Sequence, residues 1–175
     1  MNAELHWSLE RANEITCLGC GVQAPDTTGP VHTYIEASPG CWQMYCALQD
    51  WRNSLDGDDG VTIAQHLVDA YAIQHATNPD RRSRQSVAAH LMSLCASLEF
   101  DMPGMKLRSM IGDWTHRDYP ILLPRPDHYP ITVRTVTNET EDKRAVIVKE
   151  MARSTWSAWL LHHDEVRSLL VNYLA

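Results

Sequence analysis

The chain has no long basic run, and its formal net charge is −7, so a nucleic-acid backbone is not an expected partner. It has no stretch apolar for long enough to span a bilayer. A secretory leader is not expected either, because Glu4, Glu10 and Glu14 fall where such a leader needs an apolar core. A disulfide framework is disfavoured by an odd count of five cysteines, two of them only two residues apart. Together these absences point to a reducing cytoplasm. Internal repeats and low-complexity segments are missing too. At 175 residues the chain is expected to be a single domain, 1–175, able to bury roughly 70% of its unfolded surface.

What is present begins at Cys17-Leu18-Gly19-Cys20-Gly21. Two cysteines spaced by two residues can aim both sulfurs at one ion from a tight turn. Gly21 frees the backbone to fold back toward them. Ser38-Pro39-Gly40-Cys41-Trp42 follows. Serine then proline is a helix start, a cap hydroxyl before a residue pre-set for the first turn. Cys41 then lies in that first turn, where unpaired amides and the positive end of the dipole favour a thiolate. Cys17, Cys20 and Cys41 are therefore expected to bind a metal over residues 17–41, with His32 as the nearest fourth ligand. Soft sulfur with imidazole selects zinc ahead of iron or copper. A bundle histidine such as His163 could complete the set in place of His32. Cys46 and Cys95 read as plain small apolar residues.

The rest reads as mainly α, a helical bundle of four to five helices with a small N-terminal zinc-knuckle-like loop and an irregular Pro-rich connection. Three segments follow the loop: helices within 39–98, the connection over 100–137, and a C-terminal helix or helix pair over 139–174. His32 to Ile35 could be a short strand, and the first helix is expected from about Pro39 to Ser54. Asp56-Gly57-Asp58-Asp59-Gly60 reads as a turn. The second helix is expected over Thr62–Ala76, with Ile63, Leu67, Ala70 and Gln74 on one face. The third is expected over Arg84–Leu98, with Val87, Leu91, Leu94 and Leu98 as its seam. Within the connection, a short helix is expected near Lys106–Ile111 and an extended strip at Ile131–Val136. Asn138-Glu139-Thr140-Glu141 carries a helix-start pattern. Beyond it, Ser154-Thr155 marks a kink or second start, and Trp156, Trp159, Leu160, His163, Val166 and Leu170 lie on one stripe.

His66, Asp69, His90 and His163 stand on or beside these seams. If the seams converge, they form a second site of ligands, or a base with its orienter, between helices. Each histidine has an ordinary alternative, a half-buried ring bonded to a carbonyl. His75, in the last turn of its helix, reads most simply as a cation complementing the helix C-terminus.

The pattern Cys17-x-x-Cys20-Gly21, Gly29-Pro30-x-His32-x-Tyr34, Ser38-Pro39-Gly40-Cys41-Trp42, Val68-Asp69-Ala70-Tyr71-x-x-Gln74-His75, Gln85-Ser86-Val87-Ala88-x-His90-Leu91 and Trp159-x-x-x-His163 resembles a family of small bacterial proteins of unknown function. The resemblance carries no activity. It does imply that Asp69, Gln74, His75, Gln85 and His90 belong to one shared site, which adds His75 to the candidate catalytic residues. A looser similarity to DinB-like metal-binding helical bundles rests on fold analogy. The expected function is a zinc-binding metalloenzyme with hydrolytic or acid–base chemistry on a small molecule or modified peptide. The alternative is a non-catalytic, zinc-stabilised scaffold or regulatory protein.

Overall fold

The computed structural model describes residues 13–33, 35–76, 80–114, 118–120, 122 and 124–174. The chain is mainly helical. Trp7 and Leu9, which could pack locally by sequence, and His6 and His116, which read as surface or loop residues, lie outside the described residues.

Two short antiparallel strands, β1 (Glu14–Thr16) and β2 (Gln23–Pro25), pair Glu14 with Pro25, Ile15 with Ala24 and Thr16 with Gln23. Their connecting turn carries the two N-terminal cysteines. It is closed by main-chain bonds from Cys17 N to Val22 O and from Gly21 N to Cys17 O, both 2.9 Å, with Gly21 at φ +74°. That left-handed backbone is strained for any residue with a Cβ. The extended piece is this hairpin, and His32 and Thr33 lie in no strand.

Helix α1 (Pro39–Cys46) begins as expected: Ser38 caps it, its Oγ accepting from Cys41 N, with proline at the first position. It ends early, and α2 (Gln49–Asn53) is separate. Tyr45, Leu48 and Trp51 are buried, Trp42 is half-buried, and Cys46 is exposed, contrary to its reading as a packed apolar residue. Gly40 fits because a Cβ there would run into the Pro25 carbonyl, so β2 lies directly on this first turn.

Helix α3 (Gly57–Gln74) is the centre, packed against α4 (Arg81–Phe100), α5 (Gly104–Trp114) and α7 (Glu141–Ala158). The acidic stretch read as a turn is its first turn, with Asp56 at the N-cap. Acids there suit the helix dipole. Gly60 allows a close approach to the preceding loop, since a Cβ on it would lie 2.8 Å from the Leu55 main chain. The Asp58 carboxylate accepts from Gly104 N at 3.3 Å and Met105 N at 3.0 Å, so it ties the start of α5 to α3. Ile63, Leu67, Ala70 and Gln74 are all buried, as their spacing requires. Leu91 and Leu94 of α4 are buried beside Ala88, Met92 and Cys95, whereas Val87 and Leu98 sit at the edge.

The strip expected to be extended is instead helical from Val133, as α6 (Val133–Thr137). Thr132 N donates to Thr135 Oγ1, a local bond that competes with strand pairing, and Val133 and Val136 are buried on one side of the turn. Helix α7 starts two residues later than the Asn-x-x-Glu pattern places it: Thr140 is its N-cap residue, and Asn138 instead ends α6. The C-terminal break falls at Trp159, not at Ser154, followed by a 3-10 turn (Leu160–His162) and α8 (His163–Leu174). Leu160 therefore leaves the apolar stripe and is exposed. Among the described residues, no helix is long and apolar enough to cross a membrane.

Candidate metal centre

The hairpin turn, the first turn of α1 and the C-terminal end of α3 meet at one point. Cys17, Cys20, Cys41 and His75 are all buried there, with their potential ligand atoms within 4.8 Å of one another. Cys20 Sγ is 3.8 Å from Cys41 Sγ, and Cys41 Sγ is 3.3 Å from His75 Nε2. Zinc bonds of about 2.3 Å to sulfur and about 2.0 Å to nitrogen give a tetrahedron with edges of about 3.8 Å and about 3.5 Å. The cysteines are free thiols, far from the roughly 2.0 Å of a disulfide.

Each donor is fixed by its surroundings. Ser38, whose hydroxyl caps α1, uses its own amide to donate to Cys17 Sγ at 3.3 Å. Tyr71 OH contacts Cys41 Sγ at 3.6 Å. His75 is the C-cap residue of α3, and its Nδ1 lies 2.7 Å from Tyr71 O. A carbonyl only accepts, so Nδ1 carries a proton and Nε2 is the nitrogen that faces the sulfurs, a donor to thiolate when protonated and a ligand to a cation when not. The Tyr71 ring sits between Tyr45, centroids 4.2 Å apart, and His75, at 4.1 Å. Gly19, between the two cysteines, lies flat on His75: a Cβ there would be 2.5 Å from its Cδ2 and 2.9 Å from its Cα.

The electrostatics favour a cation. Hydrogen bonds from Cys20 and Cys41 stabilise an anion on Cys17 and hold it far below the ordinary thiol range. The same contacts, from Cys17 and Cys20, push Cys41 far up. Burial opposes a charge on His75, yet its hydrogen bonds to Cys17 and Cys20 overcome this and push it up to about 9. Burial and the Cys41 charge raise Tyr71. Without a metal, an anion on Cys17 opposes a second one on Cys41. A divalent cation removes that conflict by drawing charge from every sulfur. Cys17, Cys20, Cys41 and His75 thus form a group that can bind a metal.

His32 does not join this group. It is exposed and contacts the outer side of Trp42, ring centroids 5.6 Å apart. His163 is absent from it too. Its Nε2 donates to Trp156 O at 2.9 Å while its ring stacks on Trp156 at 3.7 Å. His162 is buried and donates from Nε2 to Pro124 O at 2.9 Å.

The second set does not converge. Asp69 is fully buried in α3 and accepts from Gln65 Nε2 at 2.7 Å and His90 Nδ1 at 2.7 Å on one oxygen, and from Ser93 Oγ at 2.6 Å on the other. His66 shares a 2.8 Å hydrogen bond with Ser97 Oγ, and its buried Nδ1 has no partner. Gln74 donates to Ile131 O and Thr155 Oγ1, both at 2.8 Å. The set implied by the family pattern therefore divides, with His75 at the cysteines, Asp69 with His90, and Gln74 tying α3 to α7. Among the described residues, no other group of His, Cys, Asp or Glu is close enough to hold a metal.

His75 escapes a residue-by-residue search for ligands because it arrives 34 positions after Cys41, at the far end of another helix. Tyr71 and Gly19 escape it for the same reason, since their roles depend on where α3 ends, and the Ser38 amide escapes it because its bond to Cys17 spans 21 positions. No curated protein and no solved structure matches the chain. A model of a family of unknown function, DUF5946, matches residues 15–160, which is most of the sequence, and the chain belongs to that family.

Proposed function

We propose that Cys17, Cys20, Cys41 and His75 bind one zinc ion as a closed structural centre that staples the hairpin to α1 and to the end of α3. The observation that carries this reading is four buried protein donors within 4.8 Å of one another, with His75 Nδ1 tied to Tyr71 O. Four protein ligands leave no open position for substrate, the pattern of structural zinc. Bound there, zinc would neutralise the thiolates and cross-link three distant parts of the chain. The protein's own part is to hold the donors: Ser38 and Tyr71 set two sulfurs, and the end of α3 sets the imidazole. A pair of three-residue strands is marginal alone, so a stapling role matches what this hairpin needs. On this reading the protein is a zinc-stabilised scaffold or regulatory partner. The test is metal per chain by native mass spectrometry. Wild type and His32→Ala should each carry one zinc, and His75→Ala should carry none. A wild type without metal, or a His75→Ala chain that keeps it, overturns the reading.

A second reading rests on Asp69 and His90. A fully buried carboxylate orients His90 through Nδ1, and Nε2 has no protein partner among the described residues. That is a base with its orienter, suited to acid–base chemistry on a small molecule or modified peptide. A screen of ester, amide and phosphate substrates on zinc-loaded protein tests it. Turnover lost in His90→Gln supports the reading, and a silent wild type sets it aside.

A further inference from the structure

A separate concavity lies nearer the start of α3, between α2 and α5. Its volume is about 370 Å³, within the usual range for small-ligand sites. Val61, Ala64 and Val68 line its floor, spaced three and four residues apart, so they share one face of α3. Leu55 closes the apolar side, and Arg52 and Arg108 stand at the rim.

Both arginines are held by their elements. Arg52 NH1 donates to Tyr45 OH at 3.1 Å and NH2 to Gln49 Oε1 at 2.5 Å. Arg108 lies one turn into α5, whose start is locked to α3: Asp58 accepts from Gly104 and Met105, and a Cβ on Gly104 would run into the Thr62 main chain. Among the described residues, neither arginine is in an ion pair. The lining carries no carboxylate, although the chain as a whole is at −7. Gln65, on the same wall, uses its Nε2 on Asp69. One guanidinium held by Tyr45 and Gln49 and a second, exposed one carried on a helix whose start is locked, with no carboxylate in the lining and an aliphatic floor, match an anion with an apolar body.

We infer that the cleft between α2, α3 and α5 binds a small carboxylate carrying a short aliphatic tail, with the carboxylate between Arg52 and Arg108 and the tail on Val61, Ala64 and Val68. The site shares no residue with the metal centre, so it stands or falls apart from the zinc reading.

The test is titration of the zinc-loaded full chain with sodium hexanoate, 1-hexanol and inorganic phosphate, followed by amide chemical shifts. Hexanoate should move the amides of residues 61–68 and of Arg108 saturably, with Kd of about a millimolar or tighter. Arg108 is exposed, so Arg108→Gln should keep the wild-type Tm. It should weaken hexanoate by about five-fold or more, since it removes a charge-assisted contact. Hexanol and phosphate should each bind more weakly than hexanoate. No saturable shift at these residues, equal hexanoate affinity in Arg108→Gln, or phosphate or hexanol binding as tightly as hexanoate would each overturn the inference.

Discussion

His75 Nε2 lies 3.3 Å from Cys41 Sγ, while Nδ1 of the same ring lies 2.7 Å from Tyr71 O. One imidazole therefore joins the end of α3 to the start of α1, and the helix that supplies it also dictates which nitrogen faces the sulfurs. The hairpin closes over this pair. It is held besides by Ala24, buried in the core, by Pro25 packed on Gly40, and by Arg134 donating to Glu14 at 2.7 Å and to Gln23 O.

Removing metal should therefore loosen the hairpin before the bundle. In chelator, amide exchange at residues 14–25 should rise by at least about 100-fold, since structural zinc sites contribute roughly 10 kcal/mol or more to local folding. Amides of Leu67–Ile73 and Leu91–Cys95, in the packed core, should stay protected. Exchange that rises equally across both regions would show that the metal holds the whole fold.

Gly19→Ala places a methyl into the His75 ring and main chain. The expected cost is about 1–3 kcal/mol, with zinc bound more weakly in competition with a chromogenic chelator. Gly112→Ala is the control, because nothing lies within 4 Å of its added Cβ. Equal zinc affinity in the two variants would contradict the packing of the knuckle on His75.

Asp69→Ala would leave the Gln65, His90 and Ser93 donors facing a buried void. A loss of about 3 kcal/mol or more is expected from urea unfolding. His90→Ala, which leaves Asp69 two of its donors, should cost less. If the order reverses, Asp69 is not the hub of this network.

Burial holds His66 below its ordinary value. Asp69 opposes this, and Lys149 and Arg153 add to it. The unfolded chain thus takes up a proton below about pH 6.5 that the native chain resists. Stability is fully present above that pH and is lost as pH falls toward the depressed native value. In excess zinc, wild type should lose more stability than His66→Gln between about pH 7.5 and pH 5.5. Pairing the two proteins cancels any change common to both at the metal centre. Parallel curves would contradict the account of His66.

Local chemistry makes part of this legible in sequence. Cys17, Cys20 and Cys41 are readable because a two-residue spacing and a Ser-Pro helix start each fix geometry within a few residues. The mainly helical character is readable from period alone. His75 is not, because its role depends on α3 running from Gly57 to Gln74 and stopping there. Glycines at 57 and 60 conceal that helix's beginning through their low helix propensity, which at Gly60 gives way to close packing against Leu55. Val133 and Val136 look like a strand because β-branched residues favour one, but the Thr132–Thr135 bond and burial against the bundle turn them into a helix. The convergence expected of His66, Asp69, His90 and His163 requires helix rotations that no periodicity specifies.

Zinc-edge X-ray absorption on the loaded protein tests the central claim most directly. The account predicts a shell of three sulfurs at about 2.3 Å and one nitrogen at about 2.0 Å, without a water oxygen. The nitrogen's imidazole signature should persist in His32→Ala, whereas His75→Ala, which carries no zinc, should give no bound-zinc spectrum at all. A shell with fewer than three sulfurs, or an imidazole signal that survives the loss of His75, would contradict it.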